Sequence, residues 1–372
     1  MSKIKLGILG ATGMAGREAL LHQKRLEEES KNYADLEIVT GSSSSQGKPL
    51  GKIFKQKEKK LSDKYGFWTP QECPEKYRNM TVEGLDPDEI AEKVDYVISA
   101  LPSSVAEKIE PELRERGVHV FSNASRFRWS EEVPLMIPEV NSEAIKMLEK
   151  QETRGKQVNN PNCTTAGYLP VIEALRTDYE VEEVDLVTFQ AISGKGDQIS
   201  SDEYSSRSTG NARDDWNSKD PHNGEEIKSE TEPQKILGLT NRKDQANDTG
   251  LDIFAQTTRI PTQYGHLESL RITFSEEVDL EEVRETLESW RPPENVMNLP
   301  STPEKPVEVI DRQPEPREDV FREDGMNVVV GDLRQLEDNR ISLYSLSHNL
   351  RRGATWTARQ SLELYLREKD IL

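Results

Sequence analysis

Cysteine is nearly absent from this sequence: its 372 residues carry two, Cys73 and Cys163. Two thiols cannot build a disulfide framework, and neither sits in a Cys/His spacing that binds zinc, so no metal is expected. Long hydrophobic runs are missing too. None approaches the roughly 20 apolar residues that span a bilayer, and Met1–Leu6 lacks the apolar stretch of a signal peptide. The expectation is a cytoplasmic protein with no membrane partner. Positive charge is in deficit, with 49 Lys and Arg against 68 Asp and Glu and a formal charge of −19. Such a field repels nucleic-acid phosphates, which excludes a nucleic-acid partner, and it repels small anions as well. Any phosphate site must therefore be built locally from Arg, Lys and backbone N–H groups. A salt-rich cytoplasm is a second explanation for the acidic surface. What remains is globular material: 34% hydrophobic and 31% charged residues are incompatible with a disordered chain. The length suits two domains of comparable size.

The patterning predicts an α/β fold: a parallel-sheet domain over residues 1–160, rejoined by 348–372, and an α+β domain over 161–347. Lys3–Leu9 reads as a buried strand, followed by a glycine turn and a helix to about Glu29. Leu36–Thr40, Val94–Leu101 and Val118–Ser122 repeat the strand signal, with an amphipathic helix around Val105–Arg116. Gly47–Asp63, rich in Lys and Gly, reads as an exposed loop. After Pro161 a helical pattern covers Ala166–Leu175. Val184–Ile192, Phe254–Arg259 and Leu267–Phe274 include alternations typical of an antiparallel sheet with one wet face. The polar stretch Ser200–Asn223 reads as a surface loop. An amphipathic helix from Ala354 to Leu366 is expected to return to the first domain.

Two segments carry chemistry. Gly10-Ala-Thr12-Gly13-Met14-Ala-Gly16 lies between the first strand and its helix. Glycine lets the backbone approach a pyrophosphate closely, and a helix N-terminus offers N–H groups to its charge; a plain tight turn has the same residues. After the second strand an NAD-specific site presents a carboxylate to the ribose, yet the chain reads Thr40-Gly41-Ser42-Ser43-Ser44-Ser45 with Lys48 nearby. Hydroxyls and a lysine suit a 2′-phosphate, so NADP is preferred over NAD; a ligand-free serine loop fits the same run. In Asn160-Pro-Asn162-Cys163-Thr-Thr-Ala166 the cysteine opens a helix, where the dipole and free N–H groups favour the thiolate and an oxyanion formed next to it. A buried cysteine acting as a small hydrophobe is the plainer alternative.

Four motifs in order remove much of that ambiguity: Gly10-Ala-Thr-Gly13, Pro161-Asn-Cys163-Thr, Arg259-Ile-Pro-Thr-Gln-Tyr-Gly-His266 and His348-Asn349-Leu-Arg-Arg-Gly-Ala354. Together with Phe121–Ser125 and Ile137–Asn141 they resemble the aspartate-semialdehyde dehydrogenase family, in its archaeal and fungal branch, over nearly the whole chain. The resemblance implies a Rossmann-type NADP-binding domain, a catalytic and dimerisation domain, and a homodimer or homotetramer. It makes Cys163 the nucleophile, His266 the acid/base and Gln190 the residue that orients substrate. It gives Arg259 the substrate carboxylate, Glu225 the amino group, and Lys228 and Arg128 the phosphate, with Arg126 a rival for the last role; Asn162 also joins the substrate site. The cofactor falls to Gly10, Thr12, Gly13, Met14, Ser42, Ser43, Ser45, Ser193, Gly194 and Asn349. On residues alone, Glu225 and Lys228 also read as a surface ion pair.

The implied reaction interconverts L-aspartyl 4-phosphate and L-aspartate 4-semialdehyde plus phosphate through a Cys163 thioester, in amino-acid biosynthesis. Malonyl-CoA or other acyl-CoA reduction uses the same thioester step. A non-catalytic NADP-binding sensor is the alternative from another class, against which the joint presence of Cys163, His266, Gln190 and Arg259 argues. Lys195, within Gly194-Lys-Gly196, and Trp356, after the Arg-Gly motif, depart from the family's small residues and leave the acyl group open.

Overall fold

The structure of the protein, a computed structural model, describes residues 3–198, 224–238 and 250–372; the Ser200–Asn223 stretch lies outside them. The chain forms two compact units, Met1–Met136 with Glu143–Asn160 and Ala354–Leu372, and Ile137–Ser142 with Pro161–Gly353. The segment His348–Gly353 thus belongs to the second unit, and the return to the first begins at Ala354.

In the first unit β1 (Ile4–Leu9), β2 (Ala34–Val39), β3 (Tyr96–Ser99), β4 (His119–Ser122) and β5 (Gln157–Asn159) form a parallel sheet in the order β2-β1-β3-β4-β5. Both faces are covered, which explains why β1 and β3 are almost wholly apolar. The helices are α1 (Met14–Glu28), α2 (Leu50–Lys64), α3 (Pro87–Lys93) and α4 (Ser103–Glu115). Ile90 of α3 and Ala106 and Leu113 of α4 bury against Leu9, Ile38, Val97 and Val120. Asp86 caps α3 by accepting from the Asp88 and Glu89 N–H groups, and Pro87 presets its first turn.

Three expectations change here. Gly47–Asp63 is not a loop but mostly α2. Leu50, Ile53, Phe54 and Leu61 are buried at helical spacing, a period that the surrounding lysines hide when composition alone is read. The C-terminal helix runs Trp356–Glu368 and is buried at every position through Leu366, not amphipathic. Trp356, the departure expected to bear on the acyl group, lies against the middle of α1: its ring stacks on His22 at 4.0 Å and its Nε1 donates to the Glu18 carbonyl at 3.0 Å.

The second unit holds β6 (Val181–Ala191), β7 (Asp252–Ile260), β8 (His266–Phe274), β9 (Val307–Ile310), β10 (Val328–Glu337) and β11 (Arg340–Ser347), in the order β7-β6-β8-β11-β10-β9. The sheet is mixed, whereas an antiparallel one was expected: β7 runs parallel to β6, and β9 to β10. Side-chain alternation reports which face is covered and says nothing of a neighbour's direction. Its helices include α5 (Pro138–Asn141), α6 (Cys163–Leu175), α7 (Glu225–Leu237) and α8 (Leu280–Ser289). Helix α6 is buried at every position after Cys163 except Glu173. A Cβ on its Gly167 would lie 2.6 Å from Ser347 Oγ and 2.9 Å from the Glu268 carboxyl, so glycine sets how closely α6 rests on the sheet.

Candidate active site

Asn162 is the N-cap of α6, its side-chain oxygen accepting from the Thr164 N–H at 2.9 Å, and this leaves Cys163 as the first helical residue. Strand register then assembles what faces it. Gln190 pairs with Arg259 across the parallel β6/β7 ladder, and β8 starts at His266 beside the end of β6. Cys163 Sγ lies 3.1 Å from His266 Nε2, and the Ala191 N–H donates to His266 Nδ1 at 3.1 Å. Arg259 donates to Gln190 Oε1 at 2.9 Å and to the Ala191 carbonyl, while Gln190 Nε2 donates to Thr164 Oγ1 at 3.1 Å. The nucleophile's helix and the arginine's strand are therefore tied through one amide.

Helix α7 supplies the opposite charge. Glu225 accepts from Asn162 Nδ2 at 2.9 Å and pairs with Lys228 at 3.3 Å. The two side chains are 18% and 12% exposed, which sets this pair apart from a solvated surface one. Burial pushes the Glu225 carboxyl up, but Lys228, Arg259 and the Asn162 amide outweigh it and bring it down to about 2. Burial, reinforced by Arg259, lowers His266 to about 3, with Glu225 pulling the other way. Imidazole is thus neutral at physiological pH.

Two glycines make room. A Cβ on Gly194 would meet Arg259 Nη1 at 2.7 Å and His266 Cε1 at 3.1 Å, and one on Gly353 would meet Cys163 Cβ at 2.7 Å. Asn349 accepts from the Gly265 N–H at 3.1 Å and donates to Ser193 Oγ at 2.9 Å.

The structure brings Cys163, His266, Gln190, Arg259, Glu225, Lys228, Asn162, Ser193, Gly194 and Asn349 into the second unit; Gly10, Thr12, Gly13, Met14, Ser42, Ser43, Ser45 and Arg128 belong to the first. Arg128 is buried and donates to the Asn123 carbonyl at 3.0 Å, whereas its rival Arg126 is half-exposed and pairs with Glu107 at 2.7 Å. In the glycine turn Gly10 takes φ +75°. A Cβ there would lie 2.7 Å from the Ala100 carbonyl oxygen, and one on Gly16 would lie 2.2 Å from that of Gly10. Gly13 then opens α1, whose free N–H groups suit a pyrophosphate. No carboxylate follows β2: Ser42 Oγ contacts Ser44 Oγ and Ser45 Oγ at 3.0 and 3.2 Å, and Lys48 folds back onto the Ser44 carbonyl at 2.5 Å.

Residue-by-residue reading missed Thr164, Gly353 and Glu232, which accepts from the Asn162 N–H. One signal pointed to Glu232. It lies seven residues after Glu225 on α7, hence on the same helix face. Among the described residues no group of His, Cys, Asp and Glu side chains could hold a metal ion, and no helix is long and apolar enough to cross a membrane.

Comparison with known proteins matches residues 5–148 to the semialdehyde dehydrogenase NAD binding domain and 172–352 to the semialdehyde dehydrogenase dimerisation domain. A nucleotide domain joined to a dehydrogenase dimerisation domain defines the class, an oxidoreductase. The chain belongs to the semialdehyde dehydrogenase family. It is 33% identical to the aspartate-semialdehyde dehydrogenase of Methanothermobacter thermautotrophicus, over 97% of this chain and 98% of that one. It is 31% identical to a malonyl CoA reductase (NADP) of Metallosphaera sedula, over 94% and 93%. The crystal structure of aspartate semialdehyde dehydrogenase with NADP from Candida albicans superposes with a TM-score of 0.80 at 26% identity, covering 100% of both chains.

Proposed function

We propose that the protein is an NADP-dependent aspartate-semialdehyde dehydrogenase, interconverting L-aspartyl 4-phosphate and L-aspartate 4-semialdehyde plus phosphate in amino-acid biosynthesis. The observation that carries this reading is the charge pattern beside the Cys163–His266 pair. Arg259 presents a fork that suits an α-carboxylate, and the ionised Glu225 suits an α-ammonium. A malonyl group has a carboxylate and no amine, and would leave Glu225 without a ligand cation. Cys163 attacks the acyl carbon and displaces phosphate, Gln190 and Arg259 orient the chain, and Lys228 offers a cation to the phosphate.

NADPH, when bound, would supply the hydride that reduces the acyl group. Support for it over NAD comes from the missing carboxylate after β2 and from the NADP in the names of two similar proteins. Gly10, Thr12, Gly13 and Met14 are proposed to hold the pyrophosphate, Ser42, Ser43 and Ser45 the 2′-phosphate, and Ser193, Gly194 and Asn349 the nicotinamide end.

The protein is further proposed to be a cytoplasmic homodimer or homotetramer assembled through the second sheet. On the face away from α6, Phe254 is 55% exposed, and Val187, Phe189 and Tyr344 on neighbouring strands are part-exposed. Light scattering on the purified protein tests this, since a monomer at micromolar concentration would refute it.

The test of activity is NADPH oxidation with aspartyl phosphate, malonyl-CoA and succinyl-CoA in parallel. Turnover with aspartyl phosphate at least tenfold above both CoA esters is expected. Preference for malonyl-CoA replaces the substrate while keeping the thioester chemistry, and no turnover on any removes the assignment.

A further inference from the structure

Asn162, the residue before Cys163, is buried, and its polar groups divide between two helices. Its side-chain oxygen and its carbonyl serve α6, accepting from the Thr164 and Ala166 N–H groups at 2.9 Å each. Its two donors go to α7, Nδ2 to Glu225 at 2.9 Å and the backbone N–H to Glu232. The first pair is what any helix cap requires. The second is not, and Glu232, fully buried, has no part in the chemistry proposed above.

Helix α7 is itself held in place along its length. Glu226 accepts from the Thr257 N–H and Oγ1 at 3.3 and 2.8 Å, Glu230 accepts from the Ala255 N–H at 3.0 Å, and Gln234 Nε2 donates to the Leu251 carbonyl at 2.8 Å. Ala255 and Thr257 lead in two-residue steps to Arg259 along β7, the end strand of its sheet. One helix is thus bonded to the strand that carries Arg259 and to the turn that carries Cys163. Glu225 and Glu232 lie two turns apart on it, about 10 Å along the axis.

We propose that Glu232 is a positioning residue for the nucleophile: by holding the Asn162 N–H it fixes the peptide that carries Cys163, and α7 thereby registers the substrate's ammonium at Glu225 against the attacking sulfur. The inference rests on the reading of Cys163 as nucleophile and Glu225 as the ammonium partner.

A reacting pair must be held about 3–3.5 Å apart and aligned, and a misplacement of about 1 Å costs on the order of a hundredfold in rate. Loss of Glu232 leaves the α6 cap intact, since Asn162 Oδ1 still accepts from Thr164, but strips the Asn162 N–H of its acceptor. The turn can then shift against α7. Arg259 and Glu225 still bind the substrate, so the loss falls on the chemical step and not on affinity.

The experiment measures kcat and KM for aspartyl phosphate, normalised to folded protein, in wild type, Glu232→Ala, Glu232→Gln and Glu230→Ala. The last removes the same kind of bond from the same helix, away from Asn162. Glu232→Ala should lower kcat about tenfold to a hundredfold with KM within about threefold of wild type. Glutamine keeps an oxygen that accepts from an N–H, so Glu232→Gln should hold kcat within about threefold, as should Glu230→Ala. A wild-type kcat in Glu232→Ala, a loss in KM alone, a glutamine variant as slow as alanine, or an equal loss in Glu230→Ala each overturns the proposal. Should Glu232→Ala fail to fold, the Asn162 amide still decides. Pro161–Asn162 is the one Pro-Asn step in the sequence, so carbonyl-¹³C proline with ¹⁵N asparagine singles it out. Protection from hydrogen exchange, with a resonance that moves in Glu232→Gln, supports the assignment; exchange at the rate of an open amide, or a resonance indifferent to that change, defeats it. The amide readout needs no substrate, so failure here is separable from failure of the substrate assay.

Discussion

Cys163 Sγ and His266 Nε2 stand 3.1 Å apart across 103 residues of sequence, one at the start of a helix and the other at the start of a strand. Neither side chain can reach the other unless α6 and β8 are both held in register. With Cys163 as the nucleophile, Cys163→Ser should lower kcat by about a thousandfold or more, since a serine hydroxyl beside a neutral imidazole is a far weaker nucleophile than a thiolate. NADP binding, read by fluorescence or calorimetry, should change less than about threefold. Surviving activity would reassign the nucleophile.

With Arg259 and Glu225 proposed to hold one substrate, their variants should diverge from a purely structural effect. Arg259→Lys removes the fork that holds Gln190 and the Ala191 carbonyl and should cost roughly 2–4 kcal/mol in kcat/KM, about 30- to 1000-fold. Glu225→Gln should lower kcat/KM for aspartyl phosphate about tenfold or more while leaving any malonyl-CoA turnover unchanged or raised. Equal losses on both substrates would mean that Glu225 supports the fold and does not read an amine.

Legibility followed the range of the interactions. Gly10 acts through its own turn and Cys163 through its place at the start of α6, so local chemistry gave them away. Thr164, Glu232 and the Ala191 N–H acquire their roles from strands and helices far along the chain, and a single sequence holds no record of those contacts. The β10/β11 hairpin was equally hard to see. Ser345 and Ser347 are buried at core positions of β11, which erases the apolar alternation that marks a strand. In α2 the period is present, but the helix's six lysines mask it.

Arg352 and Glu139 form an ion pair with both side chains fully buried, and Arg352 also donates to the Ala166 carbonyl at 3.4 Å, tying α5 to α6. Arg352→Met strips the buried carboxylate of its counter-charge and should destabilise the protein by about 3–5 kcal/mol. Adding Glu139→Leu should recover most of that loss. Urea unfolding of the single and double variants checks both, and a double variant no more stable than the single one would mean that the pair's geometry, and not its charge, matters.

Acid should weaken the second unit through two groups with the same sign. His266 has a folded pKa of about 3 against an ordinary 6.5, and Glu225 about 2 against 4.5. In each case the unfolded chain takes the proton first as pH falls. Stability is complete above about pH 6.5 and is lost through His266 between about 6.5 and 3, and through Glu225 between about 4.5 and 2, on the order of a few kcal/mol in all. Glu225→Gln should therefore flatten the decline in urea midpoint below about pH 4.5 and leave the part above it. Parallel curves for variant and wild type would contradict the assignment.

Ser42 follows β2 by three positions, where an NAD-specific site would hold its carboxylate, and its side chain is exposed beside Ser44 and Ser45. Ser42→Asp places a negative charge where the 2′-phosphate is proposed to bind. Like charges a few ångströms apart at a part-exposed site repel by about 1–4 kcal/mol, so kcat/KM for NADPH should fall about tenfold to a hundredfold. NADH lacks that phosphate, and its ribose hydroxyls can donate to the new carboxylate, so its kcat/KM should hold within about threefold or rise. The informative quantity is the ratio of the two. A collapse in both would indicate damage to the loop, and an unchanged ratio would move 2′-phosphate recognition away from the serine turn.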